Sequence, residues 1–250
     1  KKEKFLENIK WLTDLNLRFS TGFSGNAAGG GYRHLTTIGF DSYYNRQIGY
    51  EIKTLGNPNL HWEKQRKTTV GLNIVLDRAT SFNIEYYDRE TYEMLSSRSI
   101  NTTSGREQFF DNAGGFRNRG VDFTFSSVVY KNEANNFSIR PYFNVNYNNQ
   151  ELTALFGKET SKATTSGIGY KLGRALEWTA VIRKGIDPTT GVVQYYVPGE
   201  DRMEQRTDDN DLATDNSGND LEKLVQTTGK KLQAPINGGF GWDINYKSFS

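Results

Sequence analysis

Six stretches of this chain place a large apolar residue at every second position, and that period dictates extended strands with one greasy face and one polar face. In the first, Leu15, Leu17 and Phe19 alternate with Asn16, Arg18 and Ser20. In the second, Val70, Leu72, Ile74 and Leu76 are set against Gly71, Asn73 and Asp77. Phe82, Ile84 and Tyr86 oppose Ser81, Asn83 and Glu85, and Val121, Phe123 and Phe125 oppose Asp122, Thr124 and Ser126. The fifth sets Ile139, Phe143, Val145 and Tyr147 against Ser138, Arg140, Asn144, Asn146 and Asn148. The last sets Phe240, Trp242, Ile244 and Tyr246 against Gly241, Asp243, Asn245 and Lys247. Each stretch is near the length of about ten residues that a tilted strand needs to cross a bilayer.

Composition separates a one-sided sheet from a packed domain. Only 35% of the 250 residues are hydrophobic, yet 14 Tyr and 15 Phe bring aromatics to 13%. A soluble domain carries nearly half apolar residues because its layers meet at a core. Scarce but large apolar residues suit a sheet that needs no second layer.

Alternation alone leaves a soluble sandwich open, since its outward residues are also polar. Connection length discriminates. Asp77–Ser81 and Lys131–Asn136 are short links, whereas Ser24–Gln65, Tyr92–Asn118 and Glu151–Asn237 are long and polar, so short and long strictly alternate. Compact domains rarely hold structureless loops beyond about 15 residues. Outer-membrane barrels pair short periplasmic turns with long external loops. Tyr86, Tyr87, Tyr130, Tyr147 and Tyr246 fall near strand ends, where amphipathic rings sit in headgroup belts. High β propensity of Tyr is the plainer account of the same positions.

Other classes lack their signatures. A net charge of +2 gives no electrostatic footprint for nucleic acid. Without Cys there is no thiolate nucleophile, disulfide or thiolate zinc site. No apolar run approaches the length of a membrane helix. The opening KKEKFLENIKW has no apolar h-region, so the chain is either cytosolic or exported by a signal outside it. His34 and His61, in long connections, form no triad or zinc motif. The glycine run Asn26–Tyr32 lacks the strand-to-helix context of a phosphate cradle. Ile186–Gly191 reads as a tight turn, with Pro188 presetting φ and Gly191 free to take positive φ. Asp215, Ser217, Asn219 and Asp220, within the acidic stretch Asp208–Asp220, are a cation set without EF-hand order, and a solvated loop is the plainer reading. No catalytic set, metal site or cofactor is expected.

Seven motifs in order carry a family resemblance. Leu15–Asn26 (LNLRFSTGFSGN) is similar to LKLRxSYGxTGN, and Asn57–Lys64 (NPNLHWEK) to NPxLKWEK, followed by TVGLNIVLD where the family has NIGLDF. FNIEYYDRETYEML resembles EYYxKxTxDLL, and NAGGFRNRGVDFTF resembles NxGxMxNKGVEFxL. KGIDPTTGVVQYY resembles AGIDPxTGxxxY, and APINGGFGWDINYKSFS resembles PxxxGGFxxxxxYKxF. The family is that of the SusC-like (RagA/SusC type) TonB-dependent transporters. The long insertion after Tyr196 departs from its compact pattern.

The resemblance implies an all-β fold, an antiparallel transmembrane β-barrel of about 22 strands, of which residues 1–250 would be the later part. The plug domain, the TonB-contacting segment and the earlier strands would lie elsewhere in a longer polypeptide. Residues 151–237 would form a long extracellular loop region. It further implies the outer membrane as location, a SusD-like surface lipoprotein as lid, and TonB-driven import of oligosaccharides or oligopeptides. Two rivals are a soluble glycan-binding module and a porin or adhesin without TonB coupling. Asn83, Tyr87, Arg140, Tyr142, Asn144, Asn146 and Asn148 are the candidate ligand-facing residues, since amides, a guanidinium and rings on the lumen side hydrogen-bond and stack on sugars or peptides. The plainer account is that every water-filled barrel needs polar inward residues.

Overall fold

β-branched and aromatic residues at alternate positions favour extended backbone, and all six alternating stretches lie in strands except for Asp77 and Lys247, which sit in the turns that follow. The computed structural model describes residues 9–27, 32–44, 47–77, 79–134, 136–155, 161–163, 167–199, 202, 203, 205, 212–214 and 221–247. Along the chain, β1 (Leu12–Asn26) leads through the hairpin of β2 (Thr37–Tyr44) and β3 (Gln47–Thr54) to β4 (Glu63–Leu76) and β5 (Thr80–Tyr92). A second hairpin, β6 (Leu95–Ser99) and β7 (Gln108–Asn112), precedes β8 (Gly115–Ser127), the short β9 (Tyr130–Asn132) and β10 (Phe137–Ala154). Next come β11 (Ser161–Ala163), β12 (Ile168–Lys171), β13 (Glu177–Val181), β14 (Arg183–Ile186), β15 (Val193–Tyr196) and β16 (Leu212–Thr214). β17 (Val225–Lys231) and β18 (Ile236–Tyr246) follow.

Six of these strands form one wall. β1, β4, β5, β8, β10 and β18 lie side by side in that order, each antiparallel to the next. Register makes the faces continuous. One row runs Leu15, Ile74, Phe82, Phe125, Phe143, Phe240 across all six strands. Two residues along, the row is Leu17, Leu72, Ile84, Phe123, Val145, Gly238. The row between them runs Asn16, Asn73, Asn83, Thr124, Asn144, Gly239, and the pleat sends its side chains to the opposite face.

The greasy face is bare. Leu17, Phe19 and Phe240 are 72%, 68% and 80% exposed, and no second layer covers them among the described residues. A soluble sandwich would bury this face against another sheet. Ring contacts run along it, with Phe82 and Phe125 centroids 5.1 Å apart and Phe123 and Phe143 6.2 Å apart. Near the short turns, Phe137 stacks edge-on to Tyr246 at 6.0 Å and tilts against Tyr130 at 5.5 Å.

The strands are longer than the alternation alone suggests, 13 residues in β5 and 18 in β10. Their far ends extend the greasy face with charge. Beyond Tyr86 and Tyr147, that face carries Arg66 paired to Glu90 at 2.9 Å, Asp88 to Arg117 at 2.5 Å, and Arg119 to Glu151 at 2.7 Å. Tyr86 and Tyr147 therefore mark the edge of the apolar band rather than strand ends. Tyr87 is a correction to the belt expected from the sequence, because the pleat sends it to the polar face.

The long connections also differ from the structureless loops expected. They fold into hairpins and small sheets, β2–β3, β6–β7, β11–β12–β13–β17 and β14–β15–β16. Backbone donors and acceptors need partners, and local pairing supplies them. The connection over 155–235 has a small core of its own, where Met203, Gln226 and Thr227 are fully buried and the Thr227 hydroxyl donates to the Glu177 carboxylate. Its Asp187–Gly191 turn is as expected. Gly191 takes φ 72° and its N–H donates to the Asp187 carbonyl at 2.8 Å. Of the acidic cation set, Asp215, Ser217, Asn219 and Asp220 lie outside the described residues.

Candidate functional site

All seven candidate residues project from one face of the wall, the polar one. Arg140, Tyr142, Asn144, Asn146 and Asn148 take alternate positions on β10, and register aligns Asn144 with Asn83 and Asn148 with Tyr87 across β8. They are tied to one another and to neighbours the sequence reading did not single out. The Tyr87 hydroxyl donates to Asn148 Oδ1 at 3.1 Å and accepts from Asn146 Nδ2 at 3.3 Å. Asn146 also donates to Asp122 and accepts from Asn237 Nδ2 at 3.3 Å. Asn144 Oδ1 accepts from the Gly239 N–H at 2.7 Å, and Asn83 Oδ1 from Arg18 at 3.3 Å. Arg140 holds Asp243 through Nε and Nη2 at 3.0 and 2.7 Å.

Two glycines shape this face. Tyr87 lies directly across from Gly120 and Tyr142 from Gly241, and a methyl group at either glycine would overlap the facing ring. Each ring thus lies flat on its neighbouring strand. Tyr87 is only 5% exposed, a buried strut with its hydroxyl satisfied on both sides. The Arg89 guanidinium sits 4.6 Å from the Tyr87 ring centroid, a cation–π geometry.

The long connections are stapled together where they leave the wall, through the NPNLHWEK motif. The Asn57 amide, 4% exposed, donates to the Phe110 carbonyl at 2.9 Å and to Asp111 Oδ1 at 3.3 Å. Asn112 Oδ1 accepts the His61 N–H at 2.9 Å, and its amide donates to the His61 and Glu93 carbonyls at 2.8 and 2.9 Å. Glu93 closes the staple, 3.2 Å from His61 Nε2 and 2.7 Å from Lys64 Nζ. The carbonyl of Asn59 at Nδ1, then Glu93 at Nε2, hold the His61 pKa above its ordinary value. Lys64 first, and His61 after it, hold Glu93 below the usual carboxylate range. The sequence showed this motif only as a resemblance, because its partners Phe110–Asn112 lie about fifty residues on.

Among the described residues no three His, Cys, Asp or Glu gather as a metal would require. The geometry is that of a barrel wall, with a bare apolar band on one face and a hydrogen-bonded polar array on the other.

Comparisons with known proteins agree. The family model for TonB dependent receptor-like β-barrels matches residues 8–246, and the chain belongs to that family. Its place is accordingly the outer membrane. The chain is 26% identical over 154 residues to the TonB-dependent receptor P39 of Formosa agariphila, covering 61% of this chain and 15% of that protein. It is 28% identical over 172 residues to the TonB-dependent receptor SusC of Bacteroides thetaiotaomicron, covering 64% of this chain and 17% of that one. The solved RagAB peptide transporter superposes with a TM-score of 0.80 at 30% identity, over 98% of this chain and 26% of its own. The chain therefore spans about one sixth of the two curated relatives and a quarter of the solved one. These relatives are named as TonB-dependent receptors and a peptide transporter, and the soluble-module reading gives way to the barrel family.

Proposed function

We propose that the chain supplies six adjoining wall strands of a TonB-dependent importer of oligosaccharides or oligopeptides, and is not an enzyme. The observation that carries the reading is the bare apolar band of Leu17, Phe19, Phe143 and Phe240 backed by the hydrogen-bonded polar face. On this reading the apolar band meets lipid and the face carrying Asn83, Tyr87, Arg140, Tyr142, Asn144, Asn146 and Asn148 lines the lumen. The short turns are periplasmic, and the long connections, residues 151–237 included, are extracellular. There a SusD-like lipoprotein caps the barrel, a partner supported by likeness to SusC and to RagAB. TonB acts through segments outside this chain. The RagAB likeness supports a peptide among the two substrate classes.

The test is made on the full-length protein in its own cells. Deleting the gene should abolish uptake of labelled oligopeptides or oligosaccharides, and the restored gene should recover it only with TonB present. Uptake that persists without TonB refutes energised import.

A further inference from the structure

On the face read above as the lumen lining, two cations face each other with nothing to neutralise them. Lys67 of β4 and Arg89 of β5 are direct cross-strand partners. Like charges in that position destabilise a sheet, and no ion pair relieves either among the described residues. Their row continues into Gly22, Asn118 and Gln150, and the next rows of the same face, two residues along either way, hold hydroxyls, amides, glycine, rings and Leu152 but no acid. The acids of this face nearest in register stand four positions away and have partners of their own, Glu85 with Arg18 at 3.8 Å, Asp122 with Asn146 and Glu63 with Asn26. By contrast, the six charges beyond the apolar band on the other face are all paired.

Three further observations point to a ligand. Arg89 Nε and the adjoining Asn118 Oδ1 are shielded from solvent yet have no hydrogen-bond partner. The Tyr87 ring fixes the guanidinium above it, and Tyr87 is itself held by Asn148. Beside Lys67 the wall is hollow, with a depression of about 340 Å³ lined by Arg18, Ser20, Gly22, Lys67, Thr69 and Glu85. A side chain at Gly22 would meet nothing within 4 Å, so the hollow is open where a longer residue would fill it.

A fixed guanidinium fork and a mobile ammonium side by side match a carboxylate, which takes charge-assisted bonds from both. We propose that Lys67 and Arg89, with the hollow beside Lys67, form a carboxylate-binding station on the inner wall that gives the importer a preference for acidic oligomers. This rests on the import reading given above. A passing carboxylate relieves the repulsion between the two cations, while the hydroxyls of Ser20 and Thr69 meet the polar groups next to it.

The experiment compares uptake by the full-length transporter, in its own cells, of probe pairs equal in length and label. One pair is a glutamate-containing oligopeptide against its glutamine counterpart. The other is an oligogalacturonide against the neutral oligogalactoside. The acidic member should be preferred in at least one pair, and Lys67→Gln with Arg89→Gln should cut the acidic-to-neutral ratio about a hundredfold, about tenfold for each charge-assisted bond lost. Neutral uptake should hold. Lys67→Arg with Arg89→Lys should keep the preference, and Lys67→Gln alone, at an exposed position, should shift the ratio the same way if the double variant assembles poorly. An unchanged ratio overturns the station alone. An equal fall for both members also overturns it, since that marks a carboxylate supplied by another segment of the same polypeptide. If the unsubstituted protein takes up no probe in a TonB-dependent way, the import reading falls and the station with it.

Discussion

The staple moves the pKa of His61 up and that of Glu93 down, which gives it a pH window. His61 has its pKa raised in the folded protein, so its contribution is complete below the ordinary histidine value of about 6.5 and disappears as pH rises through the raised value. Glu93 has its pKa lowered, so its contribution is present above the ordinary carboxylate value and disappears as pH falls through the lowered one. Amide protection factors at residues 57–61 and 110–112, the intrinsic base-catalysed rate divided by the observed one, should therefore be largest at mildly acidic pH and fall as pH rises through the raised His61 value, a dependence that His61→Gln should flatten. Equal protection factors across that range would remove His61 from the staple. Gly120 sets a second, steric constraint, because a Cβ there meets both the Tyr87 ring and the Tyr147 carbonyl oxygen, which is backbone and has no rotamer to yield. Gly120→Ala should destabilise the wall by about 1–3 kcal/mol as an overpacked site, read from the urea midpoint of the folded barrel. Gly22→Ala, facing open space, should leave that midpoint unmoved.

At the level of strands, the alternation in the sequence is enough to locate all six wall strands and to give most of their residues a face, although Asp77 and Lys247 fall just past the strand ends in turns with positive φ. Period two is a local property, so Phe143 and Asn144 declare opposite sides without any knowledge of their neighbours. The order of short and long connections was legible for the same reason. Pairings that depend on register were not. That Tyr87 lies on Gly120, that Asn57 reaches Phe110, and that Lys67 meets Arg89 follow from which residue of one strand stands beside which of the next. Tyr87 was misplaced in an aromatic belt because its neighbour Tyr86 belongs there, and adjacency along the chain says nothing of face. Hairpins in the long connections escaped notice because their strands are short and mixed in polarity, as in Gln47–Thr54. The face assignment itself is open to test. Phe143→Arg or Val145→Arg should cost about 2–4 kcal/mol in folding into bilayers, the penalty for a cation near the midplane. Asn144→Arg, one residue away on the polar face, should cost far less. Equal penalties would mean that the two faces meet the same solvent.

Considered as a whole molecule, the wall carries its own measure of membrane thickness. From Ile236 to Tyr246, β18 spans 11 residues, and at about 3.3 Å each with a tilt of about 40° that is a height of about 25 Å, the apolar band of an outer-membrane barrel. Aromatic residues cap both margins, Tyr130, Phe137 and Tyr246 toward the short turns and Tyr86 and Tyr147 toward the long connections. Past the second margin the same face changes to the ion pairs of Arg66, Glu90, Asp88, Arg117, Arg119 and Glu151, which a hydrocarbon layer would not tolerate. The strands therefore continue beyond the bilayer as a collar, and this raises the stapled loops clear of it. Spin labels at single cysteines, with no background from these 250 residues because they hold none, should rank by depth accordingly. Labels at Phe240 and Val145 should be reached by oxygen and shielded from an aqueous nickel relaxant. A label at Tyr147 should fall between, and one at Asn149, two residues farther along the same face of β10, should be reached by nickel. Oxygen-dominated relaxation at Asn149 would place the collar inside the lipid, where the unbalanced cost of its charges excludes it.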